Sequence, residues 1–306
     1  MGLDVDDAGL KALQADNFDN LNEVVADSPF DRHMRFFNFG YRPVGAEERV
    51  GPRLGAGFPN QDSAQLLFQV VGDTPIADRS VVEIGCGRGG NLWLLHRYFQ
   101  PSQVFGGDIA YRSMAFCRTS MPGPDSQFAV TDAERVPLGD GVADVVLSVE
   151  TSCTYPRVES FFREVARVLR VGGDFLYTDL MQVGLIQPFI DTLTALGLEL
   201  VHQRDITPNV SASRDARAAR QKLAYGSRPT DDDAAMLEYV GESGSRLYEL
   251  LTNREYEYTI LRFRKVEDVV PPDHDLLDPE AKAAVRDLAE LAVELLTIPS
   301  IPPTAG

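Results

Sequence analysis

The run Val81-Val82-Glu83-Ile84-Gly85-Cys86-Gly87-Arg88-Gly89-Gly90 constrains this chain more than any other stretch. A short β-branched run carries one acid, four glycines follow within six residues, and Leu92, Leu94 and Leu95 then open a helical spacing. Strand, glycine bend and helix in that order make a cradle for a nucleotide-like ligand. The bend uses backbone angles that a Cβ disfavours, and the helix start presents free N–H groups. Gly85-x-Gly87-x-x-Gly90 matches the dinucleotide fingerprint, and Asp108 falls near the roughly 20-residue offset of a ribose-binding acid. By itself the pattern admits two cofactors, NAD(P) or S-adenosylmethionine (SAM).

From Ser80 onward strands and helices alternate. Val81–Ile84, Val104–Phe105, Gln127–Val130, Asp144–Val149, Asp174–Asp179 and Leu198–Val201 read as strands, and Tyr256–Lys265 as a late sheet strand. Helical spacing covers Asn91–Phe99, a stretch around Met114, Val158–Leu169 and Ile186–Leu196, with Val171-Gly172-Gly173 as the stop of the third. This rhythm predicts an α/β fold, an open parallel sheet with helices on both faces. Ligands of such sheets sit at the carboxyl ends of the strands, near the switch in strand order. Glu83, Asp108, Asp132 and Ser148–Glu150 all fall there. Asp108 is placed for ribose hydroxyls and Asp132 for an exocyclic amine.

Three units are expected: an N-terminal lid over 1–60, a cofactor-binding domain over 61–266 with a charged helical insertion at about 207–250, and a C-terminal helix and tail over 267–306. The aromatic segment from Arg32 to Pro43 either packs on the core or closes over a ligand. Ala281, Ala284, Val285, Leu288, Leu291, Ala292 and Leu295 line one side of an acidic helix that can face its own domain or, in a homodimer, a second copy.

A formal net charge of −17 argues against nucleic acid and anionic membrane surfaces as partners. Cys86, Cys117 and Cys153 are too few and too scattered for a disulfide framework or a zinc site, which fits a reducing cytoplasm. The acidic first residues show no signal peptide, and no run of about 18 apolar residues is present. No metal-ligand cluster is expected.

Five motifs decide between the cofactors. Val82–Gly90, Phe105–Ile109, Thr131–Leu138, Ala143–Glu150 and Glu164–Gly173 resemble, in order and spacing, successive motifs of class I SAM-dependent methyltransferases. The resemblance implies a Rossmann-like, mostly parallel sheet whose last strand is antiparallel, SAM as cofactor and S-adenosylhomocysteine as product, with Glu83, Gly85, Gly87, Asp108, Ile109, Asp132, Ala133 and Val149 at the cofactor. Phe37-Asn38-Phe39-Gly40-Tyr41 and Val149–Pro156 are similar to the branch that methylates natural products, including macrolide sugars, glycopeptidolipids and phthiotriol lipids. That resemblance implies that Tyr41 closes on the methionine end of SAM. It implies a small-molecule acceptor and O-methylation, with N- or C-methylation and a non-catalytic SAM-binding subunit as rivals. Many O-methylating relatives carry a histidine where this chain has Cys153. His33, beside the aromatic segment, is the candidate base for the acceptor's proton, and Glu150, at a strand end, is placed to orient the acceptor or to balance the sulfonium's charge.

Overall fold

Val81, Val82 and Ile84 form the centre of β1 (Ser80–Ile84), buried on both faces, because β-branched side chains pack well on a pleated surface. The computed structural model describes residues 5–26, 31–55, 57–58, 60–121, 123–225 and 245–296. Its sheet has seven strands in the order β3-β2-β1-β4-β5-β7-β6: β1, β2 (Gln103–Asp108), β3 (Ser126–Val130), β4 (Ala143–Val149), β5 (Leu169–Gln182), β6 (Leu198–Asp205) and β7 (Tyr256–Lys265). The first five pair in parallel, and β7 runs antiparallel between β5 and β6. The order reverses between β1 and β4, which opens a crevice at their carboxyl ends.

Alternation along β1 and β4 feeds two cores. Val81, Val145 and Leu147 meet α2 (Gln61–Val71) and α3 (Gly90–Tyr98) on one face. Val82, Ile84 and Val146 meet α5 (Val158–Val168) and α6 (Ile186–Ala195) on the other. The start of β5 differs in kind from the sequence expectation. The helix α5 stops at Val168, and Gly172-Gly173 lies inside β5, where the pairing jumps from Ala143↔Leu169 to Val145↔Asp174. A Cβ on Gly173 would press on the Asp144 carbonyl. The glycines therefore make a bulge in a strand rather than a helix stop.

The helix α1 (Asp7–Ala26) crosses the carboxyl end of the sheet and packs on α4 (Tyr111–Ser120). It also meets the last helix. Two more helices, α7 (Thr207–Tyr225) and α8 (Arg246–Thr252), precede β7, and α9 (Pro279–Leu296) follows it. Leu10 packs on Ala289 and Val293, and Arg286 of α9 binds Asp7. The acidic helix thus covers its own chain, with Ala289 and Val293 buried and Ala292 only half-buried. Part of the expected insertion (226–244) and the Pro-rich tail (297–306) lie outside the described residues.

Candidate active site

The bend after β1 is held from both sides. Gly85, Gly87 and Gly89 take left-handed backbone angles, with φ of 75°, 50° and 68°. Gly85 also passes so close to the strand-end loop that a Cβ there would collide with the Thr151 side chain. Its N–H donates to the Gly107 carbonyl at 2.8 Å. The Gly87 N–H donates to Asp108 Oδ2 at 2.8 Å, and the Ala110 N–H donates to Asp108 Oδ1 at 2.9 Å. Asp108 thus fixes the bend while each oxygen keeps a second lone pair for a ligand. Burial pushes its carboxyl above the ordinary value.

Glu83 is sealed at the end of β1. Asn91, at the start of α3, donates to its Oε1 at 2.7 Å, while Glu83 Oε2 and Asn91 Oδ1 are buried with no protein partner. Burial raises the Glu83 carboxyl to about 8. Two such atoms facing one cleft are a site built for a polar ligand.

Glu83, Gly85, Gly87, Asp108, Ile109, Asp132, Ala133, Val149 and Glu150 all line this single cleft. Glu150 is half-buried in a left-handed conformation (φ 55°), and its Oε2 accepts from the Phe39 N–H at 2.8 Å and from the Tyr258 hydroxyl. Burial holds it at about 8. Asp179 on β5 fixes the loop that follows, accepting from the N–H groups of Thr151, Ser152 and Cys153 at 3.1, 2.7 and 3.2 Å.

Two expected residues are elsewhere. Tyr41 is fully buried away from the cleft, with its hydroxyl donating to Glu47 Oε2 and accepting from Arg204 at 2.9 Å each. The segment's turn carries Phe36, Phe37 and Asn38 to the cleft instead. His33 is exposed in a single turn (Asp31–His33) and lines a second cavity, not this cleft. Cys153 does not line the cleft either, and burial pushes its thiol well up.

The sequence reading missed Lys11, Gln14 and Asn38. Gln14 donates to the Thr154 carbonyl, and Lys11 pairs with Asp132 and Glu134. Arg88, inside the glycine run, turns outward. It stacks 3.6 Å from the Phe116 ring centroid, donates to Asn22 and pairs with Asp31. The bend therefore holds the N-terminal segment in place through a guanidinium committed to Asn22 and Asp31.

Comparison with known proteins agrees with this geometry. A methyltransferase-domain model matches residues 82–177. The chain is 32% identical to a fatty-acid O-methyltransferase of Mycolicibacterium smegmatis over 77% of its length and 85% of the relative's. It is 31% identical to a phthiotriol/phenolphthiotriol dimycocerosates methyltransferase of Mycobacterium tuberculosis, over 68% and 77%. This chain belongs to the class I SAM-dependent methyltransferases. Among solved structures, geranyl diphosphate C-methyltransferase from Streptomyces coelicolor A3(2) superposes with a TM-score of 0.59 at 17% identity, covering 84% of this chain and 98% of the other. The cyclase SpnF superposes with 0.55 at 18%, covering 80% and 92%. Both likenesses show the fold alone.

The methyltransferase takes SAM as its cofactor, and the residues present fit it. Glu83, Asp108, Asp132 and Glu150 give the cleft four carboxyl groups suited to the hydroxyl and amine donors of SAM. A diphosphate, by contrast, would meet those acids at a bend whose arginine is already paired with Asp31. No helix among the described residues is long and apolar enough to cross a membrane.

Proposed function

We propose that this methyltransferase methylates an oxygen of a small, lipid-like acceptor. The observation that carries the reading is the convergence of Glu83, Asp108 and Asp132 with the glycine bend at the switch point, together with the named activities of the relatives above. SAM supplies an activated methyl group on a positively charged sulfur. The chain's own residues position and shield. Asp108 would take the ribose hydroxyls, Asp132 the adenine amine, and Glu83 with Asn91 the polar groups beside the bend. Phe36, Phe37 and the helix α1 cover the cleft and exclude water, which favours in-line attack at short range.

Glu150 is the titratable side chain we assign to the acceptor. Its Oε2 is engaged by Phe39 and Tyr258, while Oε1 has no protein donor among the described residues. A carboxyl titrating at about 8 is matched to accept a hydroxyl's proton near neutral pH. In its protonated form it can also donate to an acceptor oxygen. The protein would act in the cytoplasm, and residues 61–266 would carry the catalytic domain.

Calorimetric titration with SAM, S-adenosylhomocysteine and NADH tests the reading, followed by mass spectrometry for a 14 Da gain on oxygen-bearing amphiphiles. Binding of NADH but not of SAM would overturn it.

A further inference from the structure

A second cavity, of about 640 Å³, opens beside the glycine bend and is lined by Arg32, His33, Arg35, Phe36, Gly55, Gly57, Phe58, Asn60 and Trp93. Its wall is aromatic: Phe58 stacks on Trp93 at 6.1 Å, and Phe36 packs on Gly90. Its charge is one-sided. Among the described residues the lining holds two guanidiniums and no carboxylate, in a chain with a net charge of −17.

Among the described residues, neither Arg32 nor Arg35 has a carboxylate within ion-pair distance. The nearby acid, Asp31, is taken by Arg88. Arg35 lies between the rings of Trp93 and Phe116, 5.4 Å from each centroid, and its Nη1 is buried with no hydrogen-bond partner. A half-buried guanidinium with no carboxylate partner among the described residues, set beside an apolar wall, is complementary to an anion that carries a hydrocarbon body. Arg35 and Phe36 line both this cavity and the cofactor cleft, so an anion at Arg35 sits at the boundary between the two.

We propose that this cavity receives the acceptor as an amphipathic carboxylic acid, its carboxylate at Arg35 and Arg32 and its chain along Phe36, Phe58 and Trp93. The inference rests on the methyltransferase reading and names its substrate class. Transfer to a carboxylate forms one O–C bond and breaks one S–C bond, whose electron pair stays with sulfur. The negative carboxylate and the positive sulfonium neutralise each other, and no proton moves. A cleft lined by no histidine suffices for that reaction.

Trp93 is the chain's single tryptophan and reports directly on the cavity. The full chain, with S-adenosylhomocysteine bound, is titrated with decanoate and with decanol while Trp93 fluorescence is followed. Decanoate should give a saturable change and bind at least tenfold tighter than decanol. The Arg32→Gln/Arg35→Gln pair should lose at least tenfold for decanoate and little for decanol. Arg32→Gln alone, at an exposed side chain outside the cofactor cleft, should lose about threefold and guards against misfolding of the double variant. Equal binding of acid and alcohol, or unchanged decanoate binding in both variants, overturns the inference. With SAM, formation of methyl decanoate supports the acceptor role, and binding without conversion overturns it. Calorimetry separates the failures: wild-type chain that binds SAM but not decanoate refutes this inference alone, whereas failure to bind SAM refutes the methyltransferase reading.

Discussion

Lys11 Nζ lies 2.8 Å from Asp132 Oδ2, joining the helix that crosses the cleft to the acid assigned to the adenine amine. The same ammonium lies 2.7 Å from Glu134 Oε2, and its side chain is only 14% exposed. A cationic cofactor that uses Asp132 must displace Lys11 or share the acid with it. The roof of the cleft and its floor therefore compete for one carboxylate.

Lys11→Met should tighten SAM binding about three- to tenfold, since it frees Asp132 and removes a positive charge from the cleft of a cationic cofactor. Stopped-flow and calorimetric titration would check this. Weaker binding would mean that Lys11 holds the cofactor rather than excludes it.

Gly85→Ala should abolish measurable SAM binding and lower the melting temperature. A left-handed angle costs a non-glycine residue about 1–2 kcal/mol, and the new methyl collides with Thr151. Wild-type affinity in this variant would show that the bend is not the cofactor cradle.

Asp108→Ala should weaken SAM binding by about 1–3 kcal/mol, because the Gly87 and Ala110 N–H groups lose their acceptor along with any ribose contact. Isothermal calorimetry reads this directly, and an unchanged affinity would refute the ribose assignment.

Glu83 and Glu150 titrate at about 8 in the folded chain against an ordinary 4.5. Between those values the folded state holds protons that the unfolded state has released. Their contribution to stability is fully present below the unfolded value and is lost as pH rises through the folded one. Each carboxyl tilts stability downward by up to about 1.4 kcal/mol per pH unit in that window. The wild-type melting temperature should fall more from pH 6 to pH 8.5 than that of Glu83→Gln. Parallel curves for the two proteins would refute the shift.

Glu150→Gln separates the two kinds of acceptor. Transfer to a hydroxyl should fall by about 10²-fold or more, because a proton acceptor is lost. Transfer to a carboxylate, which needs none, should fall by less than about tenfold. Rates with decanoate and with a long-chain phenol, measured across pH 6–9, distinguish these outcomes.

Much of the fold was legible in the chain. Hydrophobic runs such as Val145-Val146-Leu147 belong to strands buried on both faces, and all of β4 is buried. The acids after β1, β2 and β3 line one cleft because parallel strands bring like ends together. Tyr41 and His33 were misplaced for a physical reason. They sit in an irregular segment without periodicity, so their direction depends on Glu47, Arg204 and Asn60 rather than on spacing. The glycines of β5 imitated a helix stop, since a bulge and a helix end make the same demand on the backbone.

The sequence by itself determined the parallel sheet, the left-handed bend and the acids at the strand ends, because each depends on local backbone preference or on alternation along one strand. Only the tertiary structure decided that Lys11 reaches Asp132 across 121 residues, that Arg88 packs on Phe116 and pairs with Asp31, and that Arg35 stands between two cavities. Those contacts join segments far apart in the chain. Long polar side chains take their direction from whatever neighbour the fold supplies, and no local pattern encodes that neighbour.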